Sequence, residues 1–228
     1  MKSKSKLANL KQLVRIRKPI LSSKKRRVSR ANTIYDLRAA AKKCTPRGPF
    51  DYTDGAADQE ITINKARRSF ENIEFQPHIL RDVSSATLAT TMLGKQYSMP
   101  VGIAPTGFTR MMNSEGEIAG SGAASAFGIP FTLSTMGTTS IENVAKNAPN
   151  GSNYFQLYLW RDRDRSLELI QRAEKAGYDG LVLTVDAQVA GARLRDVRNG
   201  LTVPPTLTAA TFLNALPRPN WWWNFLTK

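Results

Sequence analysis

The sequence predicts an α/β protein with parallel strands, on three observations. Short apolar runs recur from residue 101 onward, each is followed by a stretch with helical apolar spacing, and each ends in polar or small residues. The runs are VGIA (101–104), FTLS (131–134), YFQLY (154–158) and GLVLTVD (180–186), and the helical stretches between them fall at 114–127, 139–147 and 163–176. Four strands are therefore expected. Their ends carry Pro105-Thr106-Gly107, Ser134-Thr135, Gln156 with Tyr158, and Thr184 with Asp186. Ligands of parallel α/β folds bind at the carboxyl ends of strands, so function is expected there. No GxGxxG or GxxxxGK[ST] follows any run, which argues against the nucleotide loop of an open doubly wound sheet.

Ahead of this alternation, Asn32 or Thr33 can cap a helix whose apolar positions are Ile34, Leu37, Ala40 and Ala41, with Pro46 and Gly48 marking its end. FDYTDGAADQE follows, punctuated by Gly55, and a polar helical stretch is expected over 58–70. Beyond Asp186 the regularity stops. Pro204-Pro205, Pro217, Pro219 and Trp221-Trp222-Trp223 read as a long connecting excursion. Four βα units leave an exposed edge strand and an incompletely covered apolar surface, so the chain reads as cut short inside a connection.

At 228 residues and 41% hydrophobic composition the chain can bury a real core, which excludes a disordered protein. Its net charge of +15 is concentrated at one end: residues 1–32 hold twelve of the 33 basic residues and no acid, leaving 21 basic against 18 acidic residues beyond. KKRR at 24–27 suits a solvated arm or helix edge, with phosphate or lipid contact as the other reading. A nucleic-acid partner is disfavoured because the arm has no interleaved aromatics. The opening segment lacks the apolar core and cleavage site of a secretory signal, and no apolar run approaches the roughly 20 residues of a membrane span. Together with the single Cys44 and the absence of CxxC or metal-ligand spacing, this points to a reducing cytoplasmic location, no metal, and at most peripheral contact with an anionic membrane.

Five strings in order, FDYTDGAADQE (50–60), MPVGIAPTGF (99–108), EGEIAGSGAASAFGIPFTLST (115–135), YFQLYLWRDRDRS (154–166) and LVLTVDAQVAGARLRDVRNG (181–200), resemble the FMN-dependent 2-hydroxy-acid oxidising enzymes, such as glycolate oxidase and flavin-type L-lactate dehydrogenases. The resemblance covers roughly residues 33–220. It implies a TIM barrel, (βα)8, of which about four units are present after the N-terminal helices, with FMN at its carboxyl face. By the same resemblance Ala104, Pro105, Thr106 and Gly107 approach the flavin ring, while Ser134, Gln156 and Thr184 bond its polar edge. Tyr52, Arg193 and the catalytic Tyr158 are implied to hold a small-molecule 2-hydroxy acid, the guanidinium taking its carboxylate. The implied organisation is a basic arm (1–32), N-terminal helices and lead-in (33–98), the first half of the barrel (99–186) and a truncated connecting region (187–228).

Two residues depart from the glycolate oxidase pattern: Thr53 and Met136 stand where a second tyrosine and a tryptophan are found, which suggests a larger substrate. The basic lead-in, TGFTRMM and STMGTTSIE are most similar to the mycofactocin-associated branch, which implies a peptide-derived lactam as an alternative substrate. The family's base is a histidine in a Ser-x-His-Gly-Gly-Arg string, yet the only histidine here, His78 in FQPHIL, reads as structural or exposed. Weak FMN binding and no turnover are therefore expected of this chain. A non-catalytic half-barrel remnant whose arm binds anionic surfaces is the remaining alternative, and self-association is left open.

Overall fold

A computed structural model describes residues 20–186, 189–202, 212–213 and 215–227; Pro204 and Pro205 lie outside these residues. The chain divides into two compact units, Met1–Lys43 and Cys44–Lys228. In the first, helix α1 (Ser23–Arg30) carries the KKRR run, capped by the Ser22 hydroxyl, which accepts the Lys25 amide at 3.4 Å. Helix α2 (Ile34–Cys44) starts where the sequence places it. Thr33 is its cap: the Thr33 hydroxyl accepts the Asp36 amide at 3.2 Å, and the Asp36 carboxylate accepts the Thr33 and Asn32 amides at 3.0 and 2.9 Å. This reciprocal pairing satisfies helix-end donors and draws the Asp36 pKa down, first through the Asn32 amide.

The second unit opens with α3 (Arg47–Asp54), which the sequence reading does not anticipate. Pro46 and Gly48, read as the end of one helix, begin another. Proline is tolerated there and at Pro49 because the first turn of a helix has amides without intrahelical partners. The polar helix α4 spans Ile61–Glu71 rather than 58–70, since Asp58 and Glu60 have positive φ and cannot join it. A hairpin, β1 (Thr90–Met92) with β2 (Lys95–Tyr97), then delivers the buried Tyr97 to the Tyr154 and Ser152 hydroxyls at 3.0 and 2.8 Å. Burial and the Tyr97 hydrogen bond hold the Tyr154 phenol up at about 12.

The alternation follows: a 3-10 turn (Thr109–Met111), α5 (Gly116–Phe127), β3 (Phe131–Leu133), α6 (Ile141–Asn147), β4 (Asn153–Tyr158), α7 (Arg163–Lys175) and β5 (Gly180–Thr184). The sheet is parallel in the order β3-β4-β5. The first of the four expected strands is corrected to a single parallel bridge, Ile103 to Phe131. Pro100 and Pro105 bracket it and supply no amides, so the Ile103 amide donating to Pro130 and its carbonyl accepting from Thr132 are the ladder that remains. Phe131, Leu133, Phe155 and Leu157 meet Ala124, Ile141, Val144 and Ala173 in the core, the apolar positions of β3 and β4 packing on α5, α6 and α7. On the other edge β5 pairs with β4 alone among the described residues, and Leu181, Val182 and Leu183 remain exposed, as the sequence reading expects. The connecting excursion carries the helices α8 (Leu194–Arg198) and α9 (Pro219–Thr227). In α9 Trp221 stacks on Phe225 with centroids 4.8 Å apart, and its indole donates to the Met111 carbonyl. Among the described residues no helix is long and apolar enough to cross a membrane.

Glu117, buried in the first turn of α5, holds the loop that leaves β3: it accepts the Thr138 amide and hydroxyl at 2.8 Å and the Thr139 hydroxyl at 2.8 Å. Burial pushes this carboxyl up, but the Thr138 amide and the other donors outweigh it, so its pKa lies below the usual 4.5. A lowered pKa means the ionised form favours the fold; the contribution is complete above 4.5 and is lost as pH falls through the folded value. Glu117→Gln is expected to cost about 1–3 kcal/mol at neutral pH in urea unfolding. Its deficit relative to wild type is expected to shrink as the measurement moves below pH 4.5.

Candidate functional site

Three strand ends present one connected polar row. Gln156, 2% exposed on β4, lies between Ser134, which follows β3, and Thr184, the last residue of β5. Its Oε1 accepts the Ser134 hydroxyl at 3.2 Å and the Thr135 amide at 3.1 Å, while its Nε2 donates to Thr184 Oγ1 at 2.7 Å. Buried polar groups at a strand end need such partners. The row leaves the second Nε2 hydrogen and the Thr184 hydroxyl hydrogen undirected within it, two donors for an acceptor-bearing ligand edge.

Beside the row, Ala104, Pro105 and Thr106 form an exposed turn, with the Thr106 hydroxyl turned back to the Ala104 carbonyl at 3.5 Å. Gly107 closes the turn against β3's outgoing chain. A Cβ on it would stand 2.9 Å from Met136 Cβ, a separation that side chains do not tolerate, so only glycine fits. Met136 joins turn and row, its amide donating to Ser134 Oγ at 3.1 Å and its carbonyl accepting the Phe108 amide at 3.0 Å.

Of the three residues implied to hold substrate, Arg193 and Tyr52 meet, and Tyr158 is near enough to act on the Tyr52 pKa. The Arg193 guanidinium carbon sits 4.7 Å over the Tyr52 ring, and Tyr52 packs edge-on to Phe108 with centroids 5.9 Å apart. Burial raises the Tyr52 pKa; Arg193 lowers it, and Asp196 and Tyr158 raise it, so the phenol stays a donor at neutral pH. Arg193 is partly committed already. It donates to Asp196 at 2.5 Å and to the Tyr52 carbonyl, leaving a side chain 36% exposed. Tyr158 is exposed at the end of β4, its amide held by Thr135 Oγ1 at 3.0 Å. Thr53 is exposed on α3 and its hydroxyl donates to the Pro49 carbonyl, while Met136 lines the turn. His78 is exposed.

Sequence reasoning puts Thr135 at a strand end but gives it no role of its own, and gives none to Arg195 or Asp196. Arg195 reaches Asp54 at 3.2 Å, Asp51 at 3.7 Å and Glu60, and Asn199 donates to Asp51 at 2.8 Å, so α8 is tied to α3 and the start of α4. Partners this distant in sequence leave no local signal. A separate open groove of about 610 Å³, lined by residues that include Arg110, Ser140 and Lys146, contains none of the row.

The family described as FMN-dependent dehydrogenase matches residues 41–228. The chain belongs to this family. It is 52% identical over 219 residues to a Mycobacterium tuberculosis protein provisionally named an L-lactate dehydrogenase, covering 96% of this chain and 53% of that protein. It is 41% identical over 179 residues to glycolate oxidase of Spinacia oleracea, covering 78% of this chain and 48% of that enzyme. Among solved structures it superposes on the crystal structure of the monotopic membrane protein (S)-mandelate dehydrogenase with a TM-score of 0.81 and 35% identity, covering 86% of this chain and 52% of that one. The chain thus spans about half the length of the curated relatives it matches. The FMN-dependent dehydrogenase fold accounts for the parallel βα units as part of a (βα)8 barrel, and FMN is the cofactor of this family.

Arg195→Gln is expected to release α8 from its three carboxylates without melting the sheet. The Asp58 amide, which donates to the Ala192 carbonyl at 2.8 Å, reports on this contact. Its hydrogen exchange is expected to rise about tenfold, in line with loss of one charge-assisted hydrogen bond. Exchange in β4 is expected to stay unchanged.

Proposed function

We propose that this chain supplies the flavin-edge and substrate-carboxylate contacts of an FMN-dependent oxidoreductase that acts on the CH–OH group of a 2-hydroxy acid such as L-lactate. The observation that carries this reading is that the Ser134–Gln156–Thr184 row and the Tyr52–Arg193 pair are linked through Met136 and Phe108, with Tyr158 seated beside the row by Thr135. The residues fit the cofactor: the row offers donors to the carbonyl oxygens of a pyrimidine edge, and the exposed turn with its obligatory Gly107 leaves room for a flat ring. Bound FMN supplies the two-electron acceptor.

The chain's own residues then bind and orient. Thr184 and Gln156 direct hydrogens at the ring edge; Arg193 brings positive charge to a substrate carboxylate, and the protonated Tyr52 phenol and the Tyr158 hydroxyl donate to the substrate's oxygens. These side chains include no imidazole or carboxylate to take the substrate's proton, and the chain's one imidazole, His78, is exposed. We therefore propose FMN binding without turnover for the 228-residue chain by itself, in the cytoplasm. A peptide-derived lactam is a second reading, favoured by Met136 and Thr53 standing where glycolate oxidase-like enzymes carry larger residues. Peripheral contact with an anionic membrane is proposed for the arm, since α1 is exposed along its length, carries five basic residues, and one structural relative is a monotopic membrane protein.

Titrating FMN into the chain is expected to give saturable quenching of flavin fluorescence, weakened about tenfold in Gln156→Leu, the loss of one buried hydrogen bond. Equal binding by both proteins would overturn the flavin site. L-Lactate with an artificial electron acceptor is expected to give no turnover, and robust turnover by the isolated chain would overturn that part of the reading.

A further inference from the structure

Strand β3 ends at Leu133, which pairs with Phe155. Continuing that register sets Ser134 opposite Gln156 and Thr135 opposite Leu157. In a parallel ladder the peptide groups of the residue opposite Leu157 would donate to the Gln156 carbonyl and accept the Tyr158 amide. The Thr135 side chain performs both tasks instead. Its Oγ1 donates to the Gln156 carbonyl at 2.5 Å and accepts the Tyr158 amide at 3.0 Å. One hydroxyl thus stands in for a rung that the departing backbone no longer provides.

That substitution frees the Thr135 amide, which donates to Gln156 Oε1 at 3.1 Å. A backbone N–H can only donate, whereas the Ser134 and Thr184 hydroxyls can donate or accept. Among the row's partners the Thr135 amide is therefore the group that dictates which end of the carboxamide faces β3. With the oxygen held there, Nε2 must face β5 and donate to Thr184 Oγ1, at 2.7 Å. The Thr184 hydroxyl is thereby made an acceptor on one side and left with its hydrogen for a ligand.

We propose that Thr135 is a positioning residue of the flavin site: its hydroxyl completes the β4 ladder so that its amide can set the polarity of Gln156, and through it the donor edge offered by Thr184, while the same hydroxyl seats Tyr158. This rests on the flavin reading above for its consequence, but the orientation of Gln156 can be read without flavin.

Thr135→Val keeps the shape and removes the hydroxyl; Thr135→Ser restores it. Two measurements are made on the full chain: hydrogen exchange of the Gln156 side-chain amide by NMR, and FMN affinity by fluorescence titration, with Gln156→Leu alongside. Thr135→Val is expected to accelerate Gln156 side-chain exchange and weaken FMN each by about tenfold, and Thr135→Ser to return both to wild type. A purely structural rung would accelerate exchange of the Tyr158 backbone amide and lower the melting temperature while leaving the Gln156 side-chain protons as in wild type, and that result overturns the proposal. Should Gln156→Leu leave FMN affinity unchanged while Thr135→Val still loosens the carboxamide, the flavin reading fails and the positioning of Gln156 by Thr135 stands.

Discussion

The site hangs on one carboxamide. Gln156 is buried in the middle strand with an acceptor at one end and a donor at the other, and the strands on either side supply complementary partners. An amide that loses either partner in so enclosed a place costs about 1–3 kcal/mol, so the ends of β3 and β5 are fixed relative to β4 by a requirement stronger than the short ladders alone. Ser134 then fixes Met136, Met136 fixes Phe108 and the turn carrying Gly107, and Phe108 packs on Tyr52. The geometry from the Gln156 row to the Tyr52 ring is a chain of contacts beginning at Gln156.

A second constraint acts from outside the sheet. Arg193 and Tyr52 are 141 positions apart, and their stacking requires α8 to return to α3. Arg195 provides that return by gathering Asp51, Asp54 and Glu60, while Asp196 takes the guanidinium of Arg193. The two arginines divide the work. Arg195 spreads its guanidinium over three carboxylates and serves the fold, whereas Arg193 has one carboxylate partner and lies over the Tyr52 ring. Positive charge held next to an aromatic face and only partly neutralised is suited to an anionic ligand.

Much of this was legible in the sequence, for identifiable reasons. The runs at 131–134, 154–158 and 180–186 are bounded by helical spacing and turn residues, and they form β3, β4 and β5 near the expected limits. Ser134, Gln156 and Thr184 were placed at strand ends, and register alone then brings them together. The run at 101–104 has the same composition but is bracketed by prolines, and it keeps only a bridge. Pro46 and Gly48 are ambiguous punctuation because the residues that stop one helix suit the first turn of the next, which hid α3. Trp221 to Phe225 read as irregular because their stabilising partners, one another and the Met111 carbonyl, exist only once the segment is folded. Thr135 was legible at a strand end, but its role was hidden differently. Its value lies in where its backbone is not, and no pattern of residue types encodes a missing rung.

The row and the exposed edge of β5 belong to the same strand yet obey different rules. Thr184 ends β5 on the side paired to Tyr158, so its place depends on the β4 register and on Gln156. Leu181, Val182 and Leu183 lie along the same strand, partly exposed, and nothing in the β3-β4-β5 sheet covers them. Apolar surface of this kind favours burial at about 25 cal/mol per Å² wherever a neighbour is available. Covering that edge would lower the energy of β5 without reorienting the carboxamide. The polarity of the donor row is a local property of three adjacent strand ends and one threonine, set by hydrogen bonds whose direction the covalent structure of the backbone dictates.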